Sequence, residues 1–447
     1  MGFRRPALAI ALMSAACGLG VVGVQPEGDG GSAVDAGSGA DSTGDGGLAT
    51  DANASGDEAG PIGDTGPLTI TTAGSLPAPT GNAQQTHLIY AENERRWWLF
   101  TIDSAAPTAL QTWTSADFLT WSKAPDLALP RAHQGRGADF TVAYASIATH
   151  DVVHLGMGLE GTGGIRSHYH ARAVVQGAAL AWSTLSSIST VDDSLLLGPA
   201  GNATIIGPTG RVTDFTGCAL YGDLPAYTGN ATGFRSQSTD DGTSWAPGFG
   251  SHFDIGLASK TINARAAVSL GGESLMTLWE SADDPEPDPA TVRSSRSASG
   301  ATGWTDPAPV FSEVRFGVND WGVTALTTTD VHAIRLAGSF EHRRHNGTSW
   351  NSGHPIAAVP GGGKKNAGVV VLHDATRVAV ATIAADSSIQ ITIWAGASWS
   401  DWRALTPGTS AVRSSLSGWW SPSAGLGLIW SESDGATTKV GALRIVP

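Results

Sequence analysis

Downstream of residue 67 the chain is written in short runs of alternating apolar and polar side chains, each run closed by Gly, Asp, Asn or Ser. A period of two places successive side chains on opposite faces of an extended strand, so the pattern predicts strands joined by hairpin turns. The stretch 363–409 is the cleanest case. It predicts strands over 365–373, 376–384, 388–394 and 402–406, with Asp374-Ala375 and Asp386-Ser387 as turns. The same grammar divides the remainder into repeats at 84–130, 131–190, 195–255, 260–312, 313–361 and 411–447. The last repeat has three strands of its own, over 413–420, 425–431 and 437–446, and 68–73 is free to supply a fourth.

A tryptophan stands at the same point of six repeats, just after a Gly- or Asp-bearing turn: Trp121, Trp182, Trp245, Trp304, Trp350 and Trp399. Repeats of about 40–50 residues or more, each with four short strands, are the signature of propeller blades. One blade cannot bury both faces of its sheet, so blades pack around an axis and the ring must close. The expected fold class is therefore all-β: a seven-bladed β-propeller over 68–447, closed by the N-terminal strand at 68–73. Six blades is the alternative, because the second and third repeats are long and loosely patterned.

The segment ahead of the repeats is of another kind. Residues 1–17 read as an export signal, with Arg4 and Arg5 at its start, an apolar stretch from Ala7 to Ala16, and small residues before Cys17. Ser14-Ala15-Ala16-Cys17 resembles the lipobox of bacterial lipoproteins, although Met13 and Ser14 stand where that family places Leu. The resemblance implies lipid on Cys17 and a membrane-anchored protein at the cell envelope or surface; without it the chain would be secreted. Residues 18–67 hold almost only Gly, Ala, Ser, Asp and Thr, with no aromatic residue. Such a segment buries too little apolar surface to offset ordering, so a disordered linker is expected. Nine acids and no basic residue lie in it, and self-repulsion should extend it.

With Arg4, Arg5 and the nine linker acids set aside, 24 of 26 basic and 31 of 40 acidic residues remain. That mildly acidic head argues against nucleic acid, whose phosphates need a basic surface. Cys17 and Cys218 are the only cysteines, so no disulfide framework is expected, and Cys218 reads as a buried strand thiol. No cofactor or metal motif is present, and a monomer is expected.

Ser238-Thr239-Asp240-Asp241-Gly242-Thr243-Ser244-Trp245 matches the pattern Ser-x-Asp-x-Gly-x-(Thr/Ser)-Trp. Partial copies occur at Ser115–Trp121, His345–Trp350 and Ala395–Trp399. The chain thus resembles the Asp-box (BNR-repeat) sialidase-like propellers. In this reading Ser238, Asp240, Gly242 and Trp245 build a turn: the carboxylate accepts backbone hydrogen bonds, glycine allows positive φ, and the indole fills the seam between blades. The resemblance implies architecture rather than chemistry. Sialidases use a tyrosine nucleophile near the C-terminal blades, but the last of the five tyrosines here is Tyr227, and the family's Arg-Ile-Pro opening is absent.

Ligands of propellers meet the end where inner strands begin. Arg136, Arg265 and Arg413 come from different repeats and could converge on a carboxylate or sulfate. Asn319 could hydrogen-bond there, and Trp321, like Trp98, could stack on a sugar ring. Asp320 and Glu280 are candidate carboxylates for glycoside hydrolysis. His133 and Tyr227, with Arg265, could run β-elimination on a uronic acid, resembling ulvan-type lyases whose His-Asn motif is missing here. Arg166, His168, His170 and Arg172 share one strand face, and Glu341–His345 reads as a solvated strand with surface ion pairs. Taken together, the sequence favours a surface-tethered module that binds glycans or another extracellular polymer. A polysaccharide-active hydrolase or lyase, and an envelope protein-interaction scaffold, are the alternatives.

Overall fold

The computed structural model describes residues 71–73, 86–102, 108–130, 140–147, 150–160, 166–190, 196–206, 211–220, 233–238, 245, 252–253, 261–282, 290–299, 303–314, 320–364, 368–374, 376–394, 396–435 and 438–445. All its regular structure is antiparallel β, and among these residues no helix is long and apolar enough to cross a membrane. Residues 1–70, which include the expected signal, linker and start of the closing strand, fall outside the described set, as do His133, Arg136, Tyr227 and Asn319.

After β1 (Thr71–Ala73) the strands come in hairpin-linked groups. The first is β2 (Leu88–Ala91), β3 (Arg96–Ile102), β4 (Ala109–Ser115) and β5 (Ser122–Ala128). Next come β6 (Phe140–Ile147), β7 (His150–Glu160) and β8 (Arg166–Gln176), whose outer edge is shared by β9 (Ala179–Trp182) and β10 (Ser186–Thr190). Then follow β11 (Leu196–Ile206), β12 (Val212–Leu220), β13 (Gly233–Ser238) and β14 (His252–Phe253). A single pair, Ala219 with Thr261, joins that group to β15 (Thr261–Ser269), β16 (Leu275–Ala282), β17 (Ala290–Ser297) and β18 (Ala308–Val314), making one eight-stranded sheet. The fifth group is β19 (Trp321–Thr327), β20 (Asp330–Ala337), β21 (Ser339–His345) and β22 (Trp350–Ser352). The sixth is β23 (Val369–His373), β24 (Val378–Ile383), β25 (Ile389–Trp394) and β26 (Arg403–Ala404). The last is β27 (Val412–Ser421), β28 (Gly425–Ser433) and β29 (Thr438–Ile445), with β1 added beside β29 through Thr72 and Gly441.

The first strand of each group lies beside the first strand of the next, from β2 through β6, β11, β15, β19 and β23 to β27, and β27 lies beside β2. Small residues permit this approach. A Cβ added at Gly322 in β19 would meet the Val371 side chain at 2.7 Å and the Val369 carbonyl at 2.9 Å, both on β23. At Gly418 in β27 it would meet Leu428 at 2.6 Å and Leu372 at 3.0 Å.

The apolar core lies in the seams between groups rather than in one central mass. One cluster joins the first two groups to Trp419, Ile429 and Val440 of the last; a second joins the fourth and fifth around Trp279 and Trp321. The third joins the last two groups around Trp430, and the fourth joins the fifth and sixth around Trp394. Polar stitches reinforce the seams of the first group with the last and with the second. Glu92 accepts from Ser421 Oγ at 2.6 Å and from Ser423, while Asp151 holds the backbone N–H groups of Asn93 and Glu94 at 2.9 and 3.1 Å.

Candidate functional site

The end of the sheets where first strands begin gathers several of the sequence candidates. Glu280 near the end of β16 pairs with Asn263 of β15, and Arg265 sits where the β15 register shifts between Ala264 and Ala266. Such a shift leaves one residue extra on its strand and re-aims the chain. On the neighbouring group Asp320 leads into β19, its carbonyl accepting from Leu336 N at 2.7 Å. Trp321 then bridges the seam, donating from Nε1 to Glu280 Oε1 at 2.8 Å. Glu280, Asp320 and Trp321 therefore share one end of adjoining strands, while Arg265 stands at the middle of β15.

Their roles differ from those expected. Glu280 is fully buried and Trp321 is 1% exposed, so the indole presents no open face to a sugar and the carboxylate serves as its acceptor. Trp98 is likewise fully buried in β3. Both tryptophans fill seams, which corrects the stacking expectation.

A row continues from Trp321 across its sheet. Arg335, its cross-strand partner, pairs in turn with Glu341 and donates to the Ser312 carbonyl at 2.5 Å, with its guanidinium over the Phe311 ring. Arg343 Nε also donates to Glu341, at 2.9 Å. Glu341 is thus clamped by two guanidinium groups.

Arg413 is engaged within the fold rather than open to a ligand. It is buried against the Trp430 ring, donates from Nε to Glu432 at 2.7 Å, and from Nη1 to the Ser387 and Pro407 carbonyls at 2.9 and 3.1 Å and to Thr406 Oγ1 at 2.5 Å. Those contacts tie the sixth group's connections to β27. Of its two expected companions, Arg136 lies outside the described residues and Arg265 is placed by its strand alone.

At the opposite end of the sheets lie the Asp-box-like turns. Asp117 Oδ1 accepts from the Leu119 and Thr120 N–H groups at 2.8 Å each and from Ser115 Oγ at 3.0 Å. Burial works against its charge, yet those hydrogen bonds hold its pKa below the usual carboxylate range. Asn346 substitutes for the carboxylate in its copy, accepting from Thr348 and Ser349 N–H at 3.0 Å each. The residue after the acceptor has positive φ, 65° at Phe118 and 90° at Gly347. In the complete copy Ser238 is buried and Trp245 packs on His170 with ring centroids 4.6 Å apart; Asp240 and Gly242 lie outside the described residues.

Histidines account for what the sequence reading missed. His170 of β8 meets His154 of β7, with Nε2 and Nδ1 2.9 Å apart. His342 of β21 meets His332 of β20 in the same way, at 3.0 Å. Glu341–His345 is therefore not a wholly solvated strand, because His342 and His345 turn inward and are buried. Desolvation pushes the pKa of His332 and of His342 down to about 4. The missed signal is a histidine on each arm of one hairpin, two register positions off direct pairing. Among the described residues no group of three His, Cys, Asp or Glu side chains could hold a metal ion.

No protein-family model matches the chain, and no curated protein matches it in sequence. Solved structures do match in fold. The BP39L lectin from Burkholderia pseudomallei aligns over 81% of this chain and 96% of its own, at 11% identity and a TM-score of 0.53. A PL25 ulvan lyase bound to -[GlcA(1-4)Rha3S]- aligns over 84% and 94%, at 10% identity and a TM-score of 0.53. The polysaccharide lyase Uly1 aligns over 83% and 93%, at 12% identity and a TM-score of 0.50. The fold is a propeller. At such identities the likeness extends to the fold and no further.

Proposed function

We propose that this propeller has seven blades in a closed ring, is exported and tethered by its N-terminal segment, and binds glycans at the end where the inner strands begin. Two observations support the ring: the inner strands neighbour one another in an order that returns from β27 to β2, and β1 pairs on the outer edge of β29. For the ligand site, the observation that carries the reading is that β15, which holds Arg265, and β19, which Asp320 leads into, are neighbouring inner strands. Polar groups from separate blades at one rim suit a hydroxyl-rich ligand, and a guanidinium suits a uronate or sulfate on it. A binding role is preferred to catalysis because Glu280 is committed to the Trp321 indole and Glu341 to two arginines.

A glycan array probed with the chain lacking residues 1–17 tests this directly. Binding to a defined set of glycans, reduced at least about tenfold by Arg265→Ala, is the expected result; one lost contact of about 1.4 kcal/mol corresponds to that factor. A flat array sinks the reading. The two lyases of like fold make the second outcome specific: growth of unsaturated-product absorbance on a uronate-containing polysaccharide would replace binding by elimination.

A further inference from the structure

Between the fifth and sixth groups of strands a run of nitrogen and oxygen atoms lies at separations of 2.9 to 3.2 Å. Asp330 Oδ1 lies 2.9 Å from His332 Nε2, His332 Nδ1 lies 3.0 Å from His342 Nε2, and His342 Nδ1 lies 3.2 Å from Trp399 Nε1. Arg344 Nε donates to the same Asp330 oxygen at 2.5 Å. Burial opposes charge on Asp330, but the hydrogen bonds and positive charges of Arg344 and His332 together outweigh it and hold that pKa low. A carboxylate only accepts and an indole N–H only donates, so both ends of the run are decided. With both imidazoles neutral, His332 carries its proton on Nε2 toward Asp330. His342 then carries its own on Nε2 toward His332, leaving Nδ1 to accept from Trp399.

The same His342 Nδ1 also lies 3.1 Å from the His354 carbonyl, which can only accept. One nitrogen cannot accept from Trp399 and donate to His354 together, so the two contacts exclude each other. We propose that the Asp330–His332–His342 run is a two-state proton switch: uptake of one proton charges His332, moves the His342 proton from Nε2 to Nδ1, and exchanges the bond from Trp399 for one to the His354 carbonyl. In the charged state His332 donates to Asp330 and to His342, and every imidazole N–H keeps an acceptor. Only the indole of the next blade loses its partner. The switch thus weakens one link across a blade seam while leaving the blade's own bonds intact, whatever the rim binds.

The groups facing the run act on it in opposed directions. Asp330 favours the proton, whereas Arg344, His354 and His373 oppose it. Trp394 packs against His332, His342 and His354 in tilted or edge-on contacts, with ring centroids 5.7, 5.9 and 4.7 Å away, and Arg344 lies over its ring. Burial lowers both imidazoles to about 4, so the exchange belongs to acid conditions.

Nitrogen-15 NMR of the full chain, labelled at histidine and tryptophan, reads both states. At neutral pH His332 and His342 are expected as Nε2–H tautomers with a protected Trp399 indole proton. On acidification His342 should change to the Nδ1–H form as His332 becomes charged. In that window indole exchange should quicken at least about tenfold while backbone amides of β20 and β21 stay protected. Asp330→Asn should move the midpoint down by about one pH unit, and Trp399→Phe should move it up, because the neutral state then has less to lose. An Nδ1–H tautomer of His342 at neutral pH overturns the proposal. So does an indole that stays protected through His332 protonation, or unfolding that precedes any tautomer change.

Discussion

At the scale of single residues, burial and partner geometry decide what each polar side chain does. Arg413 is the plainest case: a guanidinium that could have faced a ligand is instead saturated by Glu432, Thr406 and two carbonyls. Arg413→Ala should therefore destabilise the fold by about 3 kcal/mol, because Glu432 and the acceptors lose a largely buried partner. Denaturant unfolding checks the loss, and glycan binding per folded molecule should not change. Buried histidines bring a pH dependence. His87, stacked on Phe140, is pushed by burial to about 3, and His373 to about 4, beside His332 and His342 at about 4. Each folded pKa lies below the ordinary 6.5, so the unfolded chain binds more protons between those values. Stability is then full above pH 6.5 and falls as pH drops toward 4 and below. Thermal midpoints across that window check the sign; midpoints constant from pH 7 to 4 would contradict it. Sequence alone placed Trp321 and Arg413 at inner-strand starts but not their burial, because part of what covers each comes from a neighbouring group, Glu280 for Trp321 and Ser387, Thr406 and Pro407 for Arg413.

At the scale of elements, legibility followed the strength of turn chemistry. In the sixth group Asp374 and Asp386 accept from the N–H two residues on, at 2.8 and 2.9 Å, and the expected strands overlap β23–β26 closely. The second group was read less well, since β8 is eleven residues long and pairs with both β9 and β10. No alternation pattern announces an outer edge shared by two short strands. The pairing of β1 with β29 was legible for a different reason: the last repeat lacked a strand, and an uncovered edge invites pairing. Deleting residues 1–73 should lower the thermal midpoint by several degrees and raise self-association, because β29 then exposes its hydrogen-bonding edge. Unchanged melting and a monodisperse monomer would show that β1 contributes nothing to closure.

At the scale of the molecule, the cyclic order of inner strands brings residues distant in sequence to a common rim, and the tryptophan-filled seams hold that order. The fold class was legible because the repeat recurs with one grammar. The ligand site is a proposal, and its candidates His133, Arg136, Tyr227 and Asn319 lie outside the described residues. The proposed glycan site is the rim near Arg265 and Asp320, not the outer wall or the end bearing the Asp117 and Asn346 turns. A crystal structure with an array-selected oligosaccharide tests it most directly. Sugar density against Arg265 and Asp320 is the predicted result; density confined to the outer wall or to the Asp117 end would contradict the account.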